Sequence, residues 1–267
     1  EANASLPSGN YGDPINVELT SPTAGAVIHY TVDRTVPTES SPAYTAPIAL
    51  TQTTVLRTKV FAPGLLASNV TSSTYIFLNA NVAAFNSNLP LMIIESFNKA
   101  LPEDPLTYSQ ISIHENPAGR TKLTDPPVLV SRAGVKKRGS SSIGFPKNNY
   151  AVELWDEQNL DRKSEVFGMP AESDWILHGP YSDKSQMRNY LTYDYSNQMG
   201  RWAVHCRFVE LFLNQSGTKV DAADYWGVYV LMEKIKRGDE RGDIKRLHAS
   251  QTAAPALTGG YILKNAR

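Results

Sequence analysis

The sequence has almost no cysteine, which excludes one common way of stabilising a small domain. Cys206 is the only cysteine among 267 residues, so no disulfide can form within the chain. It stands just before the apolar run 208–213, and no catalytic motif accompanies it. Free cysteine is among the most often buried residue types, so we predict an inert, buried thiol rather than a nucleophile.

Long apolar runs and an excess of charge of one sign are also missing. No run reaches the ~18 apolar residues that a membrane helix needs. Lys and Arg together number 26, Asp and Glu together number 26, and the formal net charge is therefore zero. This balance gives no electrostatic reason to expect a nucleic acid or an anionic membrane surface as partner. We predict no membrane span and no nucleic-acid partner.

The length and a change in composition predict two domains. A chain of 267 residues exceeds the ~100–200 residues typical of one domain. Residues 1–77 are rich in Thr, Ser, Pro and Ala and contain short runs in which apolar and polar residues alternate. This composition changes from about Asn79. We therefore predict one domain over residues 1–77 and a second over residues 78–267.

The first domain is predicted to be all-β. Within residues 15–20 the apolar side chains occupy every second position, which places them on one face of a strand. Further strands are predicted over 26–31, 54–61 and 73–77, with Pro and Gly between them. Short strands separated by regular turn signals are typical of a β-sandwich.

A series of short motifs runs through the first domain. They are Ser8-Gly9-Asn10-Tyr11, 17–20, 26–33, Val36-Pro37-Thr38, 44–48, and Ser68 followed by Thr74-Tyr75. In this order they resemble the fibronectin-III-like repeat at the carboxyl end of chitobiases and hexosaminidases, whose members usually act as spacers. One departure is Arg34, where the family usually has Gly after the Asp, so we expect the turn at Asp33-Arg34 to adopt a conformation that does not require glycine.

A loop of small residues in the second domain is a candidate anion site. Three basic residues, 136–138, precede Gly139 and three serines, and Lys147 follows just before an alternating strand over 150–154. Small residues let backbone N–H groups approach an anion, and a lysine at the edge can neutralise it. The arrangement suits phosphate, although it is not a Walker A motif and such loops are also common as plain turns.

A helix is predicted over residues 183–199. Its apolar residues recur at steps of four and are expected to pack on a sheet. They are Met187, Leu191, Tyr195 and Met199. Lys184 and Arg188 lie near the predicted start, where the helix dipole disfavours cations. This conflict indicates an anion or an acidic partner nearby.

Two apolar runs towards the end of the sequence predict a β-hairpin, over 208–214 and 228–235. Glu233 lies within the second run, where most neighbours are apolar. Two interpretations are open for it: an exposed residue at the edge of a sheet, or an acid paired with a Lys or an Arg.

Seven segments of the second domain form a series. They are Arg138-Gly139-Ser140-Ser141-Ser142, 146–150, 175–184, Met187-Arg188-Asn189, 209–214, 227–234 and 259–264. In this order and spacing they resemble the spore-coat kinase (CotH) family, from about residue 85 to the end. Many members are large exported bacterial proteins with sandwich repeats beside the kinase-like domain.

The resemblance implies an α+β fold of the atypical-protein-kinase type, of which this chain holds mainly the N-terminal portion. Such a kinase transfers the ATP γ-phosphate to Ser residues and uses Mg²⁺ or Mn²⁺. The resemblance implies that Lys147 contacts the phosphates, that Glu233 or another acid orients Lys147, and that Arg188 is a second anion contact or a brace. It implies that the loop covering the phosphates consists of Arg138, Ser140, Ser141 and Ser142.

Phosphoryl transfer also needs a carboxylate that positions the attacking hydroxyl and carboxylates that hold the metal. In the family these residues follow the segment that resembles 259–264, and the sequence given stops at Arg267. We therefore assign no catalytic and no metal-binding residue here, and expect this chain alone to bind nucleotide weakly and to transfer no phosphate.

Three functions remain open from the sequence. The first is an exported CotH-like kinase whose partner is a protein substrate. The second is a structural or adhesive surface protein with an inactive kinase-like domain and a surface-layer partner. The third is a carbohydrate-associated module, which the first domain alone suggests, although Tyr11, Tyr30, Tyr44 and Tyr75 are interpreted as core and edge aromatics rather than a sugar platform. The first two place the protein outside the bacterial cell or on its surface.

Overall fold

The computed structural model describes residues 1–255, 257, 260 and 262, so the motif 259–264 lies mostly outside the described residues. The first part of the chain is entirely β structure. Its strands are β1 (Asn3–Ala4), β2 (Gly9–Tyr11), β3 (Ile15–Val17), β4 (Leu19–Thr20), β5 (Val27–Thr31), β6 (Ile48–Leu50), β7 (Thr54–Phe61) and β8 (Thr71–Phe77).

These strands form one larger sheet and two small ones. The larger sheet has the order β2-β8-β7-β5, while β3 pairs with β6 and β1 pairs with β4. Between them lies a core that includes Val17, Leu56, Tyr75 and Phe77. The arrangement is consistent with the predicted β-sandwich, and the strand predicted over 54–61 is confirmed. The strand predicted over 15–20 is divided, because β3 and β4 pair with different partners.

The four tyrosines considered as a sugar platform pack in or against the core of the sandwich. Tyr75 is fully buried, and Tyr11, Tyr30 and Tyr44 pack against the same cluster. The turn after Asp33 differs from the prediction: Arg34 has φ of 72°, the left-handed conformation that glycine adopts most easily. The Asp33 carboxylate accepts hydrogen bonds from the backbone and hydroxyl of Thr35, which closes this turn.

The second part of the chain is also mostly β structure. Its elements are α1 (Ala80–Ala83), β9 (Asn86–Ser87), β10 (Leu91–Glu95), β11 (Thr107–His114), β12 (Thr121–Lys122), β13 (Leu129–Arg138), β14 (Asn149–Trp155), β15 (Ser164–Val166), β16 (Met169–Glu172), β17 (Asp174–His178), α2 (Arg188–Gln198), β18 (Cys206–Asn214) and β19 (Tyr225–Glu233).

Seven of these strands form a closed barrel with the order β10-β11-β13-β14-β17-β19-β18. Every neighbouring pair is antiparallel except β10 and β18, which pair in parallel and close the barrel. The β18–β19 hairpin confirms the predicted one. The kinase-like α+β fold is not confirmed, because the described part is a barrel accompanied by one long helix.

Alternation of side chains explains why the barrel strands form. On β14 the buried residues Tyr150, Val152 and Leu154 point into the barrel, as predicted, and the residues between them point outward. The facing residues Ala133 and Val135 of β13 complete this layer of the core. Cys206 begins β18 and is half-buried rather than fully buried; burial raises the pKa of its thiol to about 11, so it is protonated at neutral pH.

The helix prediction was wrong in its start and in its packing face. The helix α2 begins at Arg188, five residues later than predicted, and none of its residues is buried. Met187, Tyr195 and Met199 are exposed, whereas Tyr190 stacks on Phe208 of β18 at 4.8 Å between ring centroids. Three of the four residues in the predicted apolar stripe are therefore exposed, and Leu191 is only half-buried. Regular spacing identifies a face of a helix but does not tell what covers that face.

The sandwich and the barrel have separate sheets and share a contact region. A buried cluster joins them, and two of its members, Leu78 and Val220, form a backbone bridge. At another contact the Arg57 guanidinium donates to the Glu157 carboxylate at 3.1 Å. The predicted boundary between residues 77 and 78 stays a prediction.

His114 is the most constrained ionisable group in this contact region. Its imidazole is fully buried, and its Nδ1–H donates to the Asp125 carbonyl at 2.8 Å. Its Nε2 therefore accepts from Asn10 of the sandwich at 2.8 Å and from the Ser112 hydroxyl at 2.7 Å. Burial lowers the pKa of His114 to about 4, against the raising effect of the Asp125 carbonyl.

We predict that the protein loses stability in acid through His114. The folded-state pKa lies below the unfolded value of about 6.5, so the unfolded chain takes up the proton first as the pH falls. The free energy of unfolding should fall by ~3 kcal/mol between about pH 6.5 and pH 4. Urea unfolding at several pH values should show a shallower pH dependence in His114→Gln than in the control His248→Gln, which removes an exposed imidazole. Equal slopes in both variants would contradict the assignment.

Candidate functional site

The predicted phosphate loop lies at one end of the barrel, where three segments meet. It is the connection 139–148 between β13 and β14, and it includes a short 3₁₀ turn, Ser141–Gly144. The end of β17 at His178 and the start of α2 lie beside it. Pairing in the barrel brings these segments together, because Tyr150 of β14 faces Leu177 of β17.

The shape of the loop is fixed by the residues at its ends. Asn148 is buried, and its side-chain amide donates to the carbonyls of Ile143 at 3.0 Å and Phe145 at 2.9 Å. Gly139 has φ of 136°, and a Cβ added there would overlap the Ser142 hydroxyl. The loop thus needs glycine at this position, while Ser140 and Ser141 remain exposed to solvent.

The buried side chain of Asn149 joins the loop to β17. Its Oδ1 accepts from the backbone N–H of Gly179 at 2.8 Å, which fixes the orientation of the amide. His178 Nδ1, 3.0 Å from the same oxygen, must therefore carry a hydrogen and donate it. On the other side Asn149 Nδ2 donates to the Ser142 hydroxyl at 3.2 Å.

The remaining ring nitrogen of His178 is an acceptor. Its Nε2 lies 3.3 Å from the side-chain nitrogen of Asn189 on α2. Burial lowers the pKa of His178, the charges of Arg138 and Lys147 lower it further, and Asp183 opposes them. The imidazole is therefore neutral at pH 7, and the site around it is electropositive.

Lys147 is held more tightly than a surface lysine. Its Nζ donates to the Val228 carbonyl at 2.6 Å and lies 4.7 Å from the centre of the Tyr229 ring. The aliphatic part of the Lys147 side chain packs against Gly179. A Cβ added to Gly179 would lie 3.0 Å from the Lys147 side chain and 2.9 Å from Tyr229, so this packing requires the absence of a side chain at residue 179. Burial lowers the pKa of Lys147.

Arg188, a predicted site residue at the start of α2, is paired with an acid of its own segment. Arg188 is largely exposed, and its Nε is 3.7 Å from the Asp183 carboxylate, which also accepts the backbone N–H of Arg188 at 2.9 Å. The acid that the helix start was expected to attract is thus Asp183 of the chain itself. Lys184 precedes the helix, and its ammonium group lies over the Tyr181 ring.

Glu233 does not orient Lys147, which corrects the expectation from the resemblance. Its side chain is fully buried, and its carboxylate pairs with Arg241 at 2.5 Å and accepts from the backbone of His205 at 2.9 Å. The reason is distance along β19: Val228, which binds Lys147, is five residues away, roughly 16 Å of strand. The interpretation of Glu233 as an acid paired with a basic residue is correct.

The sequence predicted Arg138, Ser140, Ser141, Ser142 and Lys147 as site residues, and all five lie at this end of the barrel. The prediction did not include Asn148, Asn149 or His178. Consecutive asparagines directly before an alternating strand were the available signal for the first two. Among the described residues there is no group of three or more His, Cys, Asp or Glu side chains that could hold a metal ion.

Two family models match the chain, each within one of the two parts described above. Residues 6–73 match the family model of the chitobiase/beta-hexosaminidase C-terminal domain. Residues 135–253 match the model of the CotH kinase protein family, and this stretch contains every predicted site residue. Both resemblances, in this order, are therefore confirmed. The second match begins within β13, so the barrel extends further towards the N-terminus than the matched stretch.

No curated protein matches the chain. Among the described residues, no helix has both the length and the apolar character that crossing a membrane requires.

We predict that the pKa of His178 reports the positive charge of the site. In Arg138→Ala one cation is removed, so the pKa of His178 should rise towards its ordinary value. The imidazole signals should be followed by NMR between pH 4 and pH 8. The control Lys163→Ala removes an exposed cation beyond the other end of β14 and should leave the titration unchanged. A pKa of His178 that does not move in Arg138→Ala would show that the two groups do not interact.

Proposed function

We propose that this chain provides the nucleotide-phosphate-binding part of a CotH-like protein serine kinase in an exported bacterial surface protein. The observation that carries the proposal is the loop 139–148, which Asn148 and Asn149 hold in one shape between Arg138 and Lys147. The match of residues 135–253 to the CotH kinase protein family supports the same assignment. A surface-exposed protein substrate is the partner that such an activity implies.

The residues of the loop suit the phosphates of ATP. Arg138 and Lys147 supply positive charge, and the hydroxyls of Ser140 and Ser141 are exposed and able to donate hydrogen bonds. His178 is neutral and adds no charge. It donates a hydrogen bond to Asn149, and Asn149 in turn donates to the Ser142 hydroxyl, which holds that side of the loop in place. Bound ATP would supply the phosphoryl group, and these residues would bind and orient it.

Among the described residues there is no group of three or more His, Cys, Asp or Glu side chains to hold the Mg²⁺ or Mn²⁺ that the resemblance implies. Carboxylates that hold the metal and position the acceptor hydroxyl are general requirements of phosphoryl transfer. We therefore keep to the prediction that this chain alone binds nucleotide weakly and transfers no phosphate.

A second function, a structural or adhesive surface protein with an inactive kinase-like domain, is supported by the state of Lys147. Its ammonium group already donates to Val228 and lies against Tyr229, so it has a structural role without any ligand. Binding a phosphate would require it to exchange or share the Val228 contact. The two functions therefore differ in whether Lys147 contributes to nucleotide affinity.

Isothermal titration calorimetry of the chain with ATP distinguishes the two functions. For a phosphate site we expect a dissociation constant of ~1 mM, and Lys147→Ala should weaken binding about tenfold or more through loss of one charge-assisted hydrogen bond. The matched control Lys163→Ala should bind as the unchanged protein does. Absence of binding, or equal binding by Lys147→Ala, would favour the inactive surface protein.

The same samples test phosphate transfer. Incubation with radiolabelled ATP, Mg²⁺ or Mn²⁺ and a Ser-rich acceptor protein should give no incorporation. Incorporation that disappears in Lys147→Ala would contradict the prediction and would show that the acids needed for transfer lie within the chain.

A further inference from the structure

A second polar cleft lies between the sandwich and the barrel, away from the phosphate loop. Arg132 lines it, six residues before Arg138 on β13, so the two sites are roughly 20 Å apart. The cleft has a volume of about 280 Å³ and draws its lining from both parts of the chain. Its central residues are Ser8, Ser72 and Thr74 from the sandwich and Gln110, Arg132 and Trp155 from the barrel.

Three barrel residues of the cleft form a row across neighbouring strands. Gln110 of β11 faces Arg132 of β13, and Arg132 faces Trp155 of β14. Directly opposed residues on antiparallel strands project from the same face of a sheet. This face is the outer one, because the alternate residues Ala133 and Leu154 belong to the barrel core.

Two buried polar atoms in this row make no hydrogen bond among the described residues, although Arg132 Nη1 lies 3.9 Å from the Glu157 carboxylate. They are the Oε1 atom of Gln110 and the Nη1 atom of Arg132, in residues only 1% and 7% exposed. Gln110 Nε2 donates to the Tyr108 hydroxyl, so either orientation of the amide leaves one of its polar atoms unsatisfied. Unpaired buried groups are costly and call for a specific explanation.

A hydroxyl group is the neutral group that suits both atoms, since it can donate to a carbonyl oxygen and accept from a guanidinium. Beside them Trp155 offers a flat apolar surface. Its indole lies over Gly134, where an added Cβ would overlap the ring, and its Nε1 donates to Glu153 at 2.9 Å. The ring is thus held flat against the sheet, with its edge hydrogen-bonded.

The charges around the cleft favour a neutral ligand. Arg132 and Arg162 are matched by Asp156 and Glu157, so the lining has no net charge. Glu157 is already bound by Arg57 at 3.1 Å and by the Ser72 hydroxyl at 2.7 Å. The volume is close to the lower limit of ~300 Å³ for ligand pockets, which restricts the ligand to a small molecule.

We propose that this cleft binds a neutral sugar ring. One sugar hydroxyl donates to Gln110 Oε1 and accepts from Arg132 Nη1, and the C–H face of the ring packs on Trp155. Ser8, Ser72 and Thr74 of the sandwich complete the lining. The site belongs to the junction of the two domains and differs from a tyrosine platform on the sandwich alone.

The test uses the full chain labelled with ¹⁵N and titrated with glucose, galactose, mannose and xylose in turn. Acyclic sorbitol and sulfate serve as controls for ring shape and for charge. At least one of the four sugars should shift the indole N–H signal of Trp155, while the signal of exposed Trp202 stays in place. Sorbitol and sulfate should shift neither signal.

Two variants then locate the site. Gln110→Met removes the amide without leaving an unpaired polar atom at that position, and Trp155→Phe reduces the flat surface. Each should weaken sugar binding about tenfold. The control Gln198→Met, on the exposed helix α2, should leave the affinity unchanged, and thermal unfolding should show that all three variants are folded.

Three results would overturn the proposal. If none of the four sugars shifts the Trp155 signal, the cleft holds only water. If sulfate shifts it instead, the cleft binds anions. If sugar binding persists in folded Gln110→Met and Trp155→Phe, the sugar binds elsewhere. None of these outcomes bears on nucleotide binding at the phosphate loop, whose measurement is independent.

Discussion

Closure of the barrel by parallel pairing of β10 with β18 is the constraint on which the rest of the structure depends. Without it the strands would form an open sheet with two edges, and an exposed edge readily pairs with other chains. Closure surrounds the core and fixes the register of β13, β14 and β17. The phosphate loop, His178 and the lysine contact at Val228 come together at one end as a consequence of that register.

Much of this arrangement could be predicted from local sequence. The alternation of Tyr150, Val152 and Leu154 identified β14 and its buried face, because strands have a period of two residues that burial enforces. The strand over 54–61 and the hairpin of β18 and β19 were predicted from their apolar runs. Each of these features depends on residues close together in the chain.

The failures concern contacts between distant residues. Barrel closure pairs Leu91 with Glu210, and no local sequence pattern indicates that contact. The spacing of Met187 and Tyr195 described a stripe correctly but gave no information on whether a sheet lies beneath it. The resemblance implied that Glu233 orients Lys147, whereas the partner of Glu233 is Arg241, on the segment that follows β19.

The central claim is that the loop 139–148 binds the phosphates of a nucleotide, and mapping of backbone amide signals during an ATP titration tests it most directly. We predict that the largest shifts will fall on residues 139–144, on Lys147 and on Gly179, which lie together at one end of the barrel. Shifts confined to Gln110, Arg132 and Trp155, or no shifts at all, would contradict the claim.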